Sequence, residues 1–272
     1  MTSITPTGVY IHGRTEPIRF DYLVIATGSS YAFPGKVAET DRSKTIELYN
    51  NLREKVEQSQ RILIIGGGPV GIELAGEIGT DYPTKDITLV HSQPTLVQPN
   101  IFQEKFYTRA QEQLNQLKIK VILNDRIDLP SKQQYNYIDG PQTFITTNSR
   151  TEITADLTFI CTGARVNNKS LLNSPFKSNL NSETGRIIVN NYLQIDGYEK
   201  IFAIGDISDK EGKLAYYGAE QAEYVAKLII SIQQKKPYPK EYQTHPYVGM
   251  FITIGRNGGI GQMPNKWRTL CG

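Results

Sequence analysis

Residues 61–78 have the sequence RILIIGGGPVGIELAGEI, which combines an apolar run, a glycine turn and a longer apolar segment. The apolar run predicts a buried strand, and the segment after the turn predicts a helix that ends near Gly79. Gly66, Gly68 and Gly71 lie between them in Gly-x-Gly-x-x-Gly spacing, which permits a tight turn, close approach of a pyrophosphate and packing of helix on strand. The N-terminus of a helix also attracts phosphate through its free N–H groups. We therefore predict a dinucleotide site made of Gly66, Gly68, Pro69, Val70 and Gly71.

Two residues near this turn are further candidates for cofactor binding. The next predicted strand ends at His91, about 20 residues after the turn, where an acidic residue would bind the ribose 2′-hydroxyl. His91, Ser92 and Gln93 are neutral, so NADH and NADPH both remain open, and His91 either contacts the cofactor or ends a strand near the surface. Glu73 either reaches a nicotinamide carboxamide or ribose, or is a favourable charge near the helix N-terminus.

Strand and helix patterns alternate on both sides of the turn. Residues 8–30 predict a hairpin followed by a buried strand at Tyr22–Thr27, and residues 39–58 predict a helix. Residues 101–117 predict another helix, and KIKVIL at 118–123 predicts another strand. This alternation is typical of a parallel α/β unit.

The second half of the chain predicts a different arrangement. Residues 130–154 break this alternation, and YNYIDGPQTFITTN followed by TEITADLTFICTG predicts a short antiparallel meander that closes the α/β unit. Residues 185–195 and 200–209 predict further strands. Residues 214–234 predict a long helix, and residues 247–263 predict a strand with a glycine turn.

Composition excludes several functional classes. The net charge of +3 is small and the basic residues are scattered, which argues against nucleic-acid binding. No apolar run approaches the roughly 18 residues of a transmembrane helix. Cys161 and Cys271 are the two cysteines, so we predict no disulfide framework, closely spaced redox pair or cysteine-based metal site, and expect Cys161 to be buried and inert. The histidines, His12, His91 and His245, predict no catalytic triad, and His245 is expected at the surface or near a bound ligand.

Three short motifs carry a family resemblance. ATG at 26–28, CTGA at 161–164 and IGD at 204–206 occur in the order found in flavoproteins with two dinucleotide-binding domains. The chain thus resembles the pyridine nucleotide–disulfide oxidoreductases and their non-disulfide relatives. FPGK at 33–36 and GRNGGIGQ at 255–262, together with TDYPTKDITLVHSQ, CTGARVN and IFAIGD, are similar to the apoptosis-inducing-factor-like and ferroptosis-suppressor-like branch.

This resemblance implies an α/β fold with two Rossmann-like dinucleotide-binding domains, in which an NAD(P)H domain interrupts an FAD domain. Residues 1–38 would be a remnant of the FAD-binding domain, and residues 39–163 would form the NAD(P)H-binding domain. Residues 164–240 would complete the FAD-binding domain, and residues 241–272 would be a truncated C-terminal segment. The first FAD-binding βαβ unit of the family has no counterpart here, so we expect an N-terminally truncated chain.

The resemblance also implies an activity, in which NAD(P)H reduces bound FAD and the flavin reduces a quinone. Asp206 would hold the FAD ribitol, although its position alone would equally suit a helix N-cap. Lys36 and Lys213 would lie near the flavin and act with Glu73 in catalysis, although both lysines could equally be solvated surface residues. The cofactor contacts implied are Thr27, Gly28, Gly66, Gly68, Pro69, Val70, Gly71, Glu73, His91, Gly163, Gly205, Asp206 and Ala215.

Two alternative functions remain open from the sequence. The same scaffold could reduce another acceptor, such as ascorbate radical or an iron–sulfur protein. The chain could instead be a nucleotide-binding or regulatory module without turnover. A small-molecule acceptor and a cytoplasmic location are expected, with peripheral membrane contact if that acceptor is lipid-soluble.

Overall fold

The computed structural model describes residues 1–129, 135–246, 248–263 and 269–271, the last range as backbone only. The strands are β1 (Ser3–Thr5), β2 (Gly8–Tyr10), β3 (Ile18–Arg19), β4 (Leu23–Ile25), β5 (Ser29–Ser30), β6 (Arg61–Ile65), β7 (Asp86–Val90), β8 (Lys120–Ile122), β9 (Tyr137–Ile145), β10 (Glu152–Ile160), β11 (Arg165–Val166), β12 (Gln194–Ile195), β13 (Tyr198–Ala203), β14 (Met250–Ile254), β15 (Gly258–Gln262) and β16 (Thr269–Cys271). The helices are α1 (Arg42–Gln58), α2 (Pro69–Asp81), α3 (Glu104–Gln116), α4 (Lys169–Leu172) and α5 (Ala215–Gln233), with 3₁₀ turns at Pro175–Asn179 and Gly205–Ile207. No helix among these described ranges is long and apolar enough to cross a bilayer.

The chain divides into two compact units. Unit 1 comprises Met1–Ser30 and Ala164–His245, and unit 2 comprises Tyr31–Gly163 and Pro246–Gly272. The first division precedes the predicted boundary at residue 38, because Phe33 belongs to the hydrophobic core of unit 2.

Unit 2 is built on a five-stranded sheet in the order β8-β7-β6-β10-β9. Strands β6, β7, β8 and β10 are parallel, and β9 pairs antiparallel with β10. Ile62, Leu63 and Ile64 of β6 are fully buried, as expected for a central parallel strand covered on both faces. The carboxyl ends of the parallel strands therefore meet at one edge, where open α/β sheets bind ligands.

A hairpin of β14 and β15 also belongs to unit 2 and packs against α2 and α3. The contact is close, since a Cβ at Gly76 of α2 would lie 2.5 Å from the backbone nitrogen of Gly255 in the hairpin turn. Arg256 of the same turn binds both carboxylate oxygens of Asp81 at 2.9 Å. The glycines predicted in this turn thus allow the hairpin to lie directly on a helix.

Unit 1 contains a smaller sheet in the order β12-β13-β4, in which β4 and β13 are parallel. Phe202 of β13 is buried, and its cluster includes Val225 and Leu228 of α5. The opposite cluster contains Ile25 of β4 and Ile201 of β13. The neighbouring carboxyl ends of β4 and β13 therefore lie side by side in this unit.

Two strand predictions in unit 1 need correction. The strand predicted as buried at Tyr22–Thr27 is exposed on one face, because Val24 at the edge of the described sheet retains 39% of its surface. The strand predicted at the start of 185–195 is replaced by isolated bridges. Ile187 forms isolated β-bridges with both Leu180 and Ser208, so it does not belong to one continuous strand.

Candidate functional site

The glycine turn after β6 is packed so tightly that two of its glycines have no room for a side chain. A Cβ at Gly71 would lie 1.8 Å from the carbonyl oxygen of Gly66. A Cβ at Gly66, whose φ is +115°, would lie 2.3 Å from the carbonyl oxygen of Cys161. Gly68 differs, because no atom lies within 4 Å of its Cβ position. The first and third glycines therefore join α2 to the sheet, and the second leaves open space where the helix begins.

Helix α2 begins at this turn with its first N–H groups uncapped by any side chain. Gly68 is the N-cap residue, and Pro69 occupies the first helical position, where its missing N–H has no cost. The next residue, Val70, is 37% exposed. Uncapped N–H groups and the helix dipole together favour an anionic ligand such as a phosphate.

His91 follows β7 and packs against the same turn. A Cβ at Gly67 would lie 2.9 Å from the His91 ring, so Gly67 is also required to be small. The His91 Nε2 lies 3.3 Å from the carbonyl oxygen of Val97, and burial lowers the pKa of His91. The ring is therefore neutral near pH 7 and donates from Nε2. His91, Gly68, Gln93 and Gln98 border an open cleft of about 510 Å³.

Glu73 lies in α2 and is half-buried. Burial raises the pKa of its carboxyl, and a hydrogen bond from the backbone of Thr253 partly offsets this rise. Thr253 belongs to β14, so the hairpin of unit 2 contacts this carboxylate directly. The predicted contact of Glu73 with a nicotinamide or ribose stays a prediction.

A second, apolar cleft of about 370 Å³ lies beside the start of α2. Val70 and Leu74 border it together with Phe159 and Cys161 at the end of β10. Tyr31 borders it as well and accepts a hydrogen bond from the backbone N–H of Gly163 at 3.0 Å. Gly163, predicted as a cofactor contact, is therefore tied to an aromatic side chain that the sequence did not single out.

In unit 1, two residues that follow neighbouring strands meet at the strand ends. Ser29 donates a hydrogen bond from Oγ to Oδ2 of Asp206 at 2.6 Å. Thr27 donates from Oγ1 to the carbonyl oxygen of Asn167 at 2.9 Å, and Asn167 donates back from Nδ2 to the carbonyl oxygen of Thr27 at 2.8 Å. Gly28 accepts from the backbone nitrogen of Asn167 at 2.9 Å. The predicted Thr27, Gly28 and Asp206 thus lie on one polar edge.

The backbone around Asp206 is held by two buried or half-buried side chains. The N–H of Gly205 donates to Oε1 of Gln221 at 2.8 Å. Arg186 donates from Nε to the carbonyl oxygen of Asp206 at 3.2 Å and from its guanidinium to the carbonyl oxygen of Glu211. Asp206 lies in the 3₁₀ turn and caps no helix, so the helix N-cap alternative is wrong.

The two predicted lysines lie in different units. Lys36 is exposed and lies in unit 2. Lys213 is exposed in unit 1, and its Nζ donates to the carbonyl oxygen of Ala164 at 3.2 Å. Ala215 begins α5, whose first turn has no side-chain cap. The catalytic role of both lysines stays a prediction.

Sequence reasoning missed several residues that shape these edges. Ser29, Asn167, Arg186 and Gln221 are polar residues whose partners lie far away in the chain, so no local periodicity marks them. Gly67 could have been found, because it lies within the glycine motif itself.

Comparisons with known proteins show the family of this chain. A family model described as "Pyridine nucleotide-disulphide oxidoreductase" matches residues 2–222. Ferroptosis suppressor protein 1 of Mus musculus is 33% identical over 258 residues, an alignment that covers 91% of this chain and 65% of that protein. Apoptosis-inducing factor homolog B of Dictyostelium discoideum is 34% identical over 278 residues, covering 96% of this chain and 70% of that protein.

Among solved structures, the water-forming NADH oxidase of Lactobacillus brevis bound to NADH has a TM-score of 0.64 and 21% identity, covering 90% of this chain and 52% of that chain. This likeness supports the α/β fold. The chain spans about 65% of the length of the mouse relative it matches. On the family match and the curated relatives, the chain belongs to the pyridine nucleotide-disulphide oxidoreductase family.

Proposed function

We propose that this chain is part of an FAD-dependent NAD(P)H oxidoreductase that passes electrons to a quinone. The observation that carries the proposal is the glycine turn, in which Gly68 alone of the three motif glycines leaves open space beside uncapped helix N–H groups. Members of this family typically bind FAD and NAD(P)H. Unit 2 is the NAD(P)H-binding part in this proposal, and unit 1 contributes to FAD binding.

The residues of unit 2 fit a dinucleotide. The space at Gly68 would admit a pyrophosphate, which the N–H groups at the start of α2 would bind. The neutral His91 and the nearby Gln93 would border the adenosine ribose. Neither residue carries a charge that would repel a 2′-phosphate or select for a 2′-hydroxyl, so both NADH and NADPH fit.

The residues of unit 1 fit the sugar-alcohol part of FAD. Asp206 offers a carboxylate at the end of β13, and the Ser29 hydroxyl orients it by occupying one of its oxygens. The N–H of Gly205 donates to the Gln221 side chain, and this hydrogen bond fixes the turn that keeps the Asp206 carboxylate at the end of β13. When bound, FAD accepts a hydride from NAD(P)H and passes electrons to the acceptor, while the protein supplies binding and orientation.

The described free cysteine, Cys161, is unsuited to a redox pair. A redox pair needs a reactive thiolate, and burial raises the pKa of the Cys161 thiol to about 12. The other cysteine, Cys271, is distant in the sequence. A quinone, the acceptor implied by the family branch, is reduced by electrons from the flavin together with protons. The apolar cleft at Val70, Leu74 and Phe159 also suits a planar apolar ring.

The test is flavin retention followed by reduction. The purified chain is mixed with FAD, desalted and treated with NADH without oxygen. We expect a retained flavin spectrum that bleaches with NADH and returns with a soluble ubiquinone analogue, but not with glutathione disulfide. The Gly68→Ala variant serves as the matched control, because it should keep flavin yet bleach far more slowly. A colourless protein that still binds NADH would contradict the proposal and favour a nucleotide-binding module.

A further inference from the structure

A buried carboxylate in unit 1 is hydrogen-bonded to three other residues from two parts of the chain. Glu211 lies before α5, and its side chain is 5% exposed. Its Oε1 accepts from the backbone nitrogen of His245 at 2.9 Å and lies 2.9 Å from the His245 Nδ1. Its Oε2 accepts from the Tyr242 hydroxyl at 2.5 Å and from Gln221 Nε2 at 3.2 Å. His245 is partly exposed, with 25% of its side-chain surface accessible, and its ring lies against this carboxylate.

The other ring nitrogen of His245 faces a second carboxylate. The Nε2 lies 3.1 Å from Oε2 of Glu220, and Tyr216 donates to Oε1 of the same residue at 2.5 Å. The ring also stacks on Tyr217, with centroids 5.1 Å apart. An ionised carboxylate only accepts hydrogen bonds, so a ring nitrogen of His245 can bond to such a carboxylate only when that nitrogen carries a proton. The His245 ring therefore lies between two carboxylates and stacks on an aromatic ring.

The charges around the ring identify what can titrate here. Burial opposes ionisation of Glu211, but hydrogen bonds from the His245 backbone and Tyr242 outweigh it and lower the Glu211 pKa. The hydrogen bond to Glu220 raises the pKa of Tyr216, and burial raises that of Tyr242. The groups facing the ring are therefore Glu211 from the loop before α5, Glu220, Tyr216 and Tyr217 from α5, and Tyr242 from its own segment. The phenols of Tyr216 and Tyr242 therefore stay protonated and Glu211 stays ionised near pH 7.

Two side chains link this cluster to the turn that contains Asp206: Gln221, and Arg186, which donates to the carbonyl oxygens of Asp206 and Glu211. Gln221 is 1% exposed and donates to Glu211 through Nε2, while its Oε1 accepts the N–H of Gly205. Reorienting Glu211 would therefore change the hydrogen bond that holds Gly205. A neutral His245 ring keeps only one N–H proton, so it cannot donate to both Glu211 and Glu220. Loss of the ring proton therefore changes the hydrogen bonding or the nearby charge at the Glu211 carboxylate.

We propose that Glu211 and His245 are positioning residues for the Gly205–Asp206 turn, and that the charge on the His245 ring acts on this turn through Glu211 and Gln221. The consequence for cofactor binding rests on the proposed function, in which Asp206 contacts FAD. Flavin affinity then depends on the ionisation of a histidine that is connected to the Gly205–Asp206 turn through Glu211 and Gln221.

The test follows two signals by NMR in the isotope-labelled chain as pH is varied, without cofactor. One signal is the His245 ring Cε1–H, and the other is the Gly205 amide. We expect the Gly205 amide shift to change with the same midpoint as the His245 ring. The His245→Gln variant should abolish this step, whereas His12→Gln, which removes an exposed histidine of the same unit, should keep it.

A second variant keeps the test decisive if His245→Gln does not fold. Glu220→Gln removes one of the two flanking carboxylates at a partly exposed position and should move both midpoints together. A Gly205 amide that does not follow the ring, or a step that survives in His245→Gln, would overturn the proposal. Flavin affinity measured at pH values below and above the His245 midpoint then separates the positioning role from the proposed function. Coupled signals without flavin binding at any pH would sink the proposed function and leave the positioning role intact.

Discussion

The carbonyl oxygen of Gly66 lies 1.8 Å from the position that a Cβ on Gly71 would occupy. No real side chain tolerates that separation, and the obstructing atom belongs to the backbone. The turn and the first turn of α2 are therefore in direct main-chain contact, which requires glycine at residue 71 for packing alone. Gly68 has no such neighbour and has extended backbone angles, with φ −77° and ψ −179°, that alanine also adopts.

These two glycines should separate stability from cofactor binding. Gly71→Ala should destabilise the protein by about 1–3 kcal/mol or more, because α2 must move away from the sheet. Gly68→Ala should leave the melting temperature close to that of the wild type but weaken NADH binding by about tenfold or more, because the methyl group occupies the space for the pyrophosphate. Thermal unfolding and NADH fluorescence titration measure both effects. Unchanged NADH affinity in Gly68→Ala would contradict this assignment of the site.

Asp206→Asn should weaken FAD binding by about tenfold or more, since a hydrogen bond to a charged acceptor is lost while the Ser29 contact can persist. The measurement is flavin fluorescence during titration with the purified chain. Asp196→Asn removes an exposed carboxylate of the same unit and should have no effect. Equal flavin affinity in both variants would show that Asp206 does not hold the cofactor.

Cys161 should be inert towards thiol reagents in the folded protein. Burial raises the pKa of its thiol to about 12, which leaves little of the reactive thiolate at neutral pH. In a Cys271→Ser background, alkylation of Cys161 should be more than about a hundredfold slower in native than in denatured protein. Mass spectrometry of timed samples measures this rate. Rapid labelling of the native protein would show that the thiol is accessible and ionised.

Asp125 should contribute stability that depends on pH. The residue is 2% exposed; burial opposes its ionisation, but hydrogen bonds from the Ser149 side chain and the Asn148 backbone outweigh this and hold its pKa well below the ordinary value of 3.8. Because the folded pKa is depressed, the stabilisation is fully present above the unfolded pKa and is lost as pH falls through the folded one. Asp125→Asn should therefore lower the melting temperature by several degrees at neutral pH.

The difference in melting temperature between Asp125→Asn and the wild type should shrink progressively below about pH 4. Asp128→Asn, which alters an exposed carboxylate three residues later, should show no such pH-dependent difference. Thermal unfolding followed by circular dichroism across this range provides the comparison. A constant difference at all pH values would mean that the charge of Asp125 plays no part.

The sequence alone determined the centre of unit 2. The apolar run at the start of residues 61–78 was predicted as a strand and forms β6, and α1, α2 and α3 of unit 2, together with α5 of unit 1, were predicted within a few residues. The reason is local, because apolar spacing and glycine positions report the secondary structure that each short segment can form. The family was also evident from the sequence, since ordered short motifs at strand ends do not depend on knowledge of packing.

Tertiary structure alone decided which distant residues meet. Ser29 and Asp206 are 177 residues apart and share a hydrogen bond, and Glu211 and His245 pair across 34 residues of chain. The placement of the β14–β15 hairpin on α2 depends on the fit between Gly76 and Gly255. Periodicity describes one element at a time, whereas these contacts depend on the relative positions of several elements after their apolar faces are buried. The sequence thus determined the elements and the glycine turn, and packing decided the polar partners that hold Asp206.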